Sequence, residues 1–358
     1  MFLKNISITA YKSHGYAEFT LAEGLNFITG NNGVGKTNLL DAIYCLLNGR
    51  SYFQPNDSLC IKQNEAYYTL KGSLESEENS NKLMVSFVPG QRKAISINDE
   101  KVTKLAQYFG KFPCVVIAPD DVEIINGESE LRRKFFDYLL SLTHPGYLQN
   151  LVNYNKYLDI RNKQLKLFLE HDSFDADLLN VYNEKLATYG NEVYKVRKAA
   201  TPEFELVFNK TYQLIAGTTE QPVFEYLSGL NQGNFELGFT QNLQKDRYTG
   251  RTNFGIHRDD WNFTLNTLPL KKTGSQGQIK SFLISLKLAM YHYICSKRSI
   301  KPLLLLDDIF EKIDTHRMNH LLEIIKGEDF GQVVITDTSK KRIQDYLGKN
   351  TEYEILEL

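Results

Sequence analysis

The chain has 358 residues, with 42 Lys and Arg residues against 43 Asp and Glu residues and a formal net charge of −1. This balance excludes a globally basic, histone-like DNA-binding protein, but it does not exclude a local basic surface. The length favours two lobes over a single hydrophobic core, and 42% hydrophobic with 24% charged residues is ordinary for a globular protein.

The amino-terminal segment lacks an apolar core with a cleavage site, and the longest aliphatic run, Leu303–Leu306, is far shorter than a membrane span. The four cysteines are scattered and form no C-x-x-C pair: they are Cys45, Cys60, Cys114 and Cys295. This pattern predicts buried, reduced thiols. We therefore expect a cytoplasmic protein without a membrane partner.

The first part of the chain has the pattern of strands and turns around one helix. Leucines and isoleucines at helical spacing predict a helix that begins near Lys36 and ends at Asn48. Short apolar runs predict strands at residues 6–8, 19–21, 25–28 and 114–117, and alternation predicts a β-meander over residues 67–97.

From Ser129 to Gly217 the pattern is helical, with Gly and Pro sparse. It predicts several helices, broken near His144 and again at Pro202, and strand-like texture returns after Pro222. The last part alternates: helix 278–295, strand 303–306, helix 315–325, strand 333–336, helix 340–347 and strand 353–358. Such alternation predicts a mostly parallel sheet.

The two ends of the chain therefore predict one nucleotide-binding lobe, and the middle predicts a second one. The first lobe comprises residues 1–120 and 251–358, and the mainly helical second lobe comprises residues 121–250.

Residues 30–37 match the phosphate-binding motif G-x-x-x-x-G-K-[ST] in full, after an apolar strand and before an amphipathic helix. They are Gly30, Asn31, Asn32, Gly33, Val34, Gly35, Lys36 and Thr37, and Asn38 continues the helix. The glycines let backbone N–H groups face phosphates, Lys36 neutralises the β- and γ-phosphates, and the Thr37 hydroxyl is a ligand for Mg²⁺. The motif predicts a nucleoside triphosphate site; a glycine-rich turn with an accidental lysine is the alternative.

A second part of such a site is predicted where four leucines precede Asp307 and Asp308. We expect Asp307 to hold Mg²⁺ with Thr37, and Asp308 to orient or deprotonate the attacking water. A buried strand capped by solvated acids is the alternative. Lys36 and Asp307 lie 271 residues apart, and such a long insertion is typical of ATPases whose heads are split by an arm.

A third segment opens the helix predicted near residue 278 and consists of Ser275, Gln276, Gly277 and Gln278. A Ser and a Gly at a helix start offer an N-cap hydroxyl, free N–H groups and the positive end of the helix dipole. Two phosphate-binding helix starts in one chain predict an ATP-dependent homodimer in which each subunit covers its partner's ATP. Ordinary helix capping is the alternative.

The ordered set GNNGVGKT, SQGQ and LLLLDD resembles the ABC-type ATPase heads of SMC and related DNA-repair proteins. Three further stretches are similar to the RecF recombination and repair family, and they cover residues 38–51, 119–137 and 255–260. The resemblance spans the whole length. The chain departs from the family pattern at Asp41 (usually Glu), at Ser129 and Ile256 (both usually Pro), and in residues 311–314, which keep only the final Asp of an S-E-L-D segment.

The resemblance implies an α/β fold, namely an ABC-type ATPase head whose mixed sheet carries the P-loop, Walker B and signature motifs, with a helical arm lobe inserted. It also implies a slow, DNA-stimulated ATPase that uses ATP and Mg²⁺ and dimerises head to head on single- and double-stranded DNA at junctions and gaps. RecR-like and RecO-like mediators would be its partners, and its localisation would be nucleoid-associated. The resemblance places Lys12 near the nucleotide and Thr336 with Asp337 in a γ-phosphate sensor region; ordinary polar positions are the alternative.

Direct sequence signals for DNA contacts are limited to two basic clusters, Arg132, Arg133 and Lys134, and Lys195, Arg197 and Lys198. Such clusters suit phosphates, and we expect the first to line a groove between two heads. Solvated helix faces, or arginines paired with acids such as Asp120, Asp121 or Asp259, are the alternatives. His257 and Arg258 could equally be structural.

Two other function classes stay open. The engine of another assembly, such as a transporter subunit, would be expected to carry an LSGGQ signature and to couple to membrane helices. A non-catalytic scaffold would use ATP only to control association, and the presence of Asp308 argues against it.

Overall fold

The computed structural model describes residues 1–76, 79–309, 315–327, 329–340, 343 and 353–358. The chain divides into two compact units. The first unit comprises Met1–Asp121, Leu214–Ala216 and Lys280–Leu358, and the second comprises Val122–Gln213 and Gly217–Ile279. Both ends of the chain therefore contribute to the first unit.

The strands, numbered along the chain, are β1 (Phe2–Tyr11), β2 (His14–Thr20), β3 (Leu25–Thr29), β4 (Tyr68–Glu75), β5 (Ser80–Phe87), β6 (Ala94–Ile97), β7 (Glu100–Lys101), β8 (Cys114–Ile117), β9 (Pro222–Leu227), β10 (Asp260–Leu265), β11 (Leu268–Pro269), β12 (Leu303–Leu306), β13 (Val333–Asp337) and β14 (Tyr353–Glu357). The helices are α1 (Lys36–Asn48), α2 (Leu105–Tyr108), α3 (Glu123–Asn126), α4 (Ser129–Thr143), α5 (Tyr147–Glu170), α6 (Ala176–Ala216), α7 (Phe235–Thr249), α8 (Leu270–Thr273), α9 (Gln276–Arg298) and α10 (Thr315–Lys326).

The first unit contains two sheets. One is antiparallel, in the order β2-β1-β4-β5-β6-β7, and includes the predicted meander. The other is parallel, in the order β14-β3-β13-β12-β8, which confirms the predicted mostly parallel sheet. Because β13 pairs with both β3 and β12, the carboxyl ends of these three strands meet at one edge.

Helix α1 has the predicted bounds, since it begins at Lys36 and ends at Asn48. Gly49 follows in the left-handed region at φ 72°, and its N–H donates to the Cys45 carbonyl, a role that glycine performs without strain. The apolar face of α1 is fully buried in a core shared with strands of both sheets. The spacing and the terminal glycine together explain why the prediction is correct.

The second unit contains α4, α5, α7, most of α6 and the three-stranded sheet β11-β10-β9. The predicted helical insertion is confirmed, but the predicted break at Pro202 is wrong, because α6 runs through it. Phe204 and Phe208 beyond the proline are buried, and their rings lie 6.0 and 4.6 Å from the Phe224 ring of β9. This packing offsets the roughly 3 kcal/mol that an interior proline costs a helix.

The second unit ends later in the chain than the predicted boundary at residue 250. Residues 251–279 belong to the second unit, because β10 pairs with β9 along its whole length, from Asp260 opposite Leu227 to Leu265 opposite Pro222. Sequence spacing alone does not reveal this antiparallel pairing, since a helix and a loop separate the two strands.

The structure also bears on the predictions for the cysteines, the C-terminal elements and membrane-spanning segments. Cys45, Cys60 and Cys114 are buried free thiols as predicted, whereas Cys295 is partly exposed. Most of the predicted helix 340–347 lies outside the described residues, as does segment 311–314. Among the described helices, none combines the length and the apolar character needed to cross a membrane.

Candidate nucleotide site

The P-loop connects β3 to α1 as the motif requires. Gly33 and Gly35 have φ values of 86° and 112°, which only glycine adopts readily. A Cβ atom at Gly35 would lie 2.7 Å from Ser13 Oγ and 2.9 Å from His14 Nε2. Backbone conformation and close packing therefore both require the glycine that precedes Lys36.

Lys36 is buried within this loop. Its Nζ donates hydrogen bonds to the carbonyl oxygens of Gly30, at 2.8 Å, and Asn31, at 3.0 Å. Asn38, two residues further along α1, donates from Nδ2 to Ser13 Oγ at 2.8 Å. The ammonium group is thus held over the glycine-rich turn, where the motif places phosphate oxygens.

Thr37 and Asp307 meet in space although they are 270 residues apart in sequence. Thr37 Oγ1 lies 2.9 Å from Asp307 Oδ1 and 3.1 Å from Oδ2. Burial raises the pKa of the Asp307 carboxyl, while hydrogen bonds from Thr336 and Thr37 oppose that rise. A hydroxyl and a carboxylate are hard oxygen ligands, so this donor set fits Mg²⁺.

Thr336 links the Asp307 carboxylate to the backbone of Asp308. Its Oγ1 donates to Asp307 Oδ1 at 2.9 Å and accepts the Asp308 backbone N–H at 2.9 Å. Asp308 is half-buried and has a left-handed backbone with φ 42°. Thr336 therefore holds the Asp307 carboxylate and the Asp308 backbone together, a contact that the sequence analysis missed because it considered only a phosphate contact.

Lys12 is held by a buried carboxylate on α1. Its Nζ lies 2.6 Å from Oδ2 of Asp41, whose side chain is fully buried. The same carboxylate accepts hydrogen bonds from Tyr11 Oη at 2.7 Å, Ser51 Oγ at 2.6 Å and the Tyr52 N–H at 2.7 Å. The sequence analysis noted Asp41 only as a departure from the family pattern and did not predict these contacts. The available signal was an acidic residue among the apolar residues of a buried helix, since a buried carboxylate needs hydrogen-bond partners.

The segment that opens α9 forms a reciprocal N-terminal cap. Ser275 Oγ accepts the Gln278 N–H at 3.2 Å, and Gln278 Oε1 accepts the Ser275 N–H at 2.8 Å. Gln278 Nε2 also donates to Glu220 Oε1 at 2.8 Å. These hydrogen bonds show that Ser275 and Gln278 cap the helix, as the alternative predicted. Exposed residues Ser275, Gln276 and Gly277 also leave the start of the helix facing solvent.

The first predicted DNA cluster is not a continuous basic surface. Arg132 is buried, and its guanidinium binds both carboxylate oxygens of Asp260, at 2.6 and 3.0 Å. Arg133 Nη1 donates to Ser129 Oγ and to the Asp259 carbonyl, both at 2.7 Å. Arg132 as a DNA contact is therefore wrong, because folding has already paired its charge; only Lys134 projects into solvent, beside Glu130.

The second cluster divides in the same way. Arg197 is buried and forms ion pairs with Asp137 and Asp259, both at 2.8 Å, while Lys195 and Lys198 face solvent. His257 Nδ1 lies 2.8 Å from Tyr154 Oη, and burial lowers the pKa of His257 to about 4. His257 is therefore a neutral structural residue of the second unit.

The RecF/RecN/SMC N-terminal domain matches residues 2–351. The DNA replication and repair protein RecF of Flavobacterium johnsoniae is 38% identical over 344 residues, which cover 96% of each chain. A structure of the recombination mediator protein RecF-ATP in the RecFOR pathway matches with a TM-score of 0.87 at 30% identity, covering 95% of this chain and 92% of that one.

The fold is also similar to that of more distant ATPase heads. The Smc head bound to the C-winged helix domain of ScpA is 13% identical, with a TM-score of 0.57, and covers 95% of this chain and 90% of that one. The fold is thus that of an ABC-type ATPase head. With a P-loop joined to a buried carboxylate at one sheet edge and full-length similarity to these relatives, the chain belongs to the RecF/RecN/SMC N-terminal domain family and, within it, to the RecF DNA replication and repair proteins.

Proposed function

We propose that this protein is an ATP-dependent DNA-binding clamp of recombinational repair. The observation that carries the proposal is the contact between the P-loop and the acid after β12, where Thr37 Oγ1 lies 2.9 Å from Asp307 Oδ1. Family membership supports it, since a related recombination mediator protein, RecF, is known with ATP.

In this proposal the P-loop binds the phosphates of ATP. The backbone N–H groups of the glycine-rich turn and of the first turn of α1 suit an anion. Lys36 exchanges the carbonyls of Gly30 and Asn31 for phosphate oxygens, which are stronger acceptors because they are charged. Thr37 and Asp307 would hold Mg²⁺, which would neutralise phosphate charge.

Asp308 is the acid that would orient or deprotonate the attacking water. Its backbone is fixed by the hydrogen bond from its N–H to Thr336 Oγ1. Because the same hydroxyl binds Asp307, one side chain contacts both the Asp307 carboxylate and the Asp308 backbone. We propose that hydrolysis here is slow and stimulated by DNA.

Dimerisation would use the exposed start of α9 in each subunit against the partner's ATP. The first-turn N–H groups and the positive end of the helix dipole suit a γ-phosphate. If both surfaces contact ATP only in the closed dimer, ATP favours that dimer by the free energy of the added contacts. Hydrolysis removes the γ-phosphate, and the clamp opens.

The proposed partners are single- and double-stranded DNA at junctions and gaps, together with RecR-like and RecO-like mediators. Lys134, Lys195 and Lys198 are the members of the two basic clusters that are exposed and can meet phosphates. We place this activity in the cytoplasm, at the nucleoid.

The test is fluorescence polarisation with a labelled gapped duplex and the Asp308→Asn variant, in Mg-ATP and in Mg-ADP. We expect DNA binding and a closed dimer with ATP only. Ser275→Arg should bind ATP without dimerising, which separates the two steps. An ATP-loaded Asp308→Asn protein that does not bind DNA would refute the clamp, and wild-type hydrolysis by this variant would refute the catalytic role of Asp308.

A further inference from the structure

The end of α7 and the loop after it expose a basic and aromatic surface, which we call the α7 surface. Its residues are Lys245, Tyr248, Arg251 and Arg258, together with Lys166 of α5, and all five are exposed. The Tyr248 side chain is the most open large hydrophobic group among the described residues, at 84% exposure. The Tyr248 ring is therefore accessible to a ligand.

The end of α7 packs against Lys166 of α5, and the loop after α7 is tied to Arg258. Gly250 ends α7, and a Cβ atom at this glycine would lie 3.3 Å from Lys166 Cγ. Asn253 links the loop backbone to the Arg258 side chain, since its Nδ2 donates to the Arg251 backbone carbonyl at 2.9 Å and its Oδ1 accepts from Arg258 Nη2 at 3.1 Å.

A buried ion pair beneath the loop fixes its shape. Asp246 accepts the Asn253 N–H at 2.8 Å through one oxygen and lies 2.8 Å from Arg161 Nη1 through the other. Both side chains of this ion pair are fully buried. The α7 surface is therefore preorganised, so a ligand does not have to order the loop on binding.

The cations of the α7 surface are available to a ligand. Within the described part of the chain, none of the four forms an ion pair, in contrast to the buried Arg132 and Arg197. Arg247 is not included in the set, because its guanidinium stacks on Phe174 at 4.3 Å, in a loop that also carries acids. Exposed positive charges that are not held in ion pairs attract a polyanion.

We propose that the α7 surface binds single-stranded DNA, with phosphates on the four cations and one base stacked on the Tyr248 ring. An exposed aromatic face can stack on an unpaired base, whereas the bases of a duplex are already stacked on one another. The proposal deepens the function proposed above, on which it rests, by giving the single-stranded side of a junction its own binding surface.

The experiment measures polarisation of labelled oligo(dT) and of a blunt duplex with the full-length protein in Mg-ATP. Tyr248→Ala should weaken oligo(dT) binding by about 5- to 150-fold, which is the effect of losing one base stack, and Tyr248→Phe should retain it. Arg251→Ala should lower the slope of log affinity against log salt by about 0.7. Tyr16→Ala, at another tyrosine with 70% exposure, is the matched control and should leave binding unchanged.

Several results would overturn the proposal. Wild-type oligo(dT) affinity in both Tyr248→Ala and Arg251→Ala would do so, as would an equal loss for oligo(dT) and duplex. Retained DNA binding with lost binding of a mediator protein would assign the surface to a protein partner. A wild-type protein that binds duplex but not oligo(dT) overturns only this inference, whereas one that binds neither also refutes the DNA clamp.

Discussion

Replacement of Thr336 by Val tests how the carboxylate pair is held. The Thr336 hydroxyl donates to Asp307 and accepts from the Asp308 N–H, both at 2.9 Å. Valine keeps the shape of the side chain but removes both hydrogen bonds. Thr336 is fully buried and Asp307 is 4% exposed, so bulk water cannot readily replace the lost hydroxyl.

The magnitude follows from these contacts. A hydrogen bond to a charged group contributes about 1.5–3 kcal/mol, and a buried N–H without a partner costs about 1–3 kcal/mol. If the bond to Asp307 alone is lost from the transition state, kcat falls by about 10- to 150-fold. ATP affinity should stay near the wild-type value, because the P-loop and Lys36 are unchanged.

Single-turnover ATP hydrolysis measures the chemical step, and titration with a fluorescent ATP analogue measures affinity. Thr336→Ser keeps the hydroxyl and should recover most of the rate. Wild-type hydrolysis by Thr336→Val would refute the positioning role. Loss of ATP affinity at an unchanged kcat would instead favour a direct contact with the γ-phosphate.

Three further predictions concern single side chains. Arg132→Ala should destabilise the second unit by about 3 kcal/mol in chemical denaturation, because Asp260 loses its partner; exposed Lys134→Ala is the control, and equal effects would contradict the assignment. Because burial lowers the pKa of His257 to about 4, the unfolded chain binds this proton at higher pH than the folded chain. The His257 contribution should therefore be complete above pH about 6.5 and fall by up to about 3 kcal/mol toward pH 4; an identical pH profile for His257→Gln would disprove it. Lys36→Ala should abolish ATP binding in calorimetry, and undiminished affinity would exclude the assigned role.

The sequence by itself determined the parts of the protein that depend on neighbouring residues. The bounds of α1, the P-loop conformation and the alternation of strands with helices in the last part of the chain all follow from apolar spacing and from glycines at turns. The cap at Ser275 and Gln278 is equally local, because the two residues are three positions apart. For the same reason the motifs were enough to predict a nucleotide site.

The carboxylate pair was predicted as a motif, but its assembly required tertiary structure. The strand β13 inserts between β3 and β12, and this order of strands brings Thr336 between Asp307 and Asp308. No spacing rule gives the order of strands in a sheet, since it depends on how long connections cross. Asp41 likewise acquired its role only when Lys12 folded beside α1.

The basic residues show most clearly what only the tertiary structure decided. Arg132 and its partner Asp260 are 128 residues apart, and their pairing turned an expected DNA contact into a buried structural bond. Arg251 belongs to neither of the predicted basic clusters, yet it is exposed and its charge is available to a ligand. Sequence determines which charges a chain carries, but the free energy of burying them decides which are paired inside the fold and which remain for a ligand.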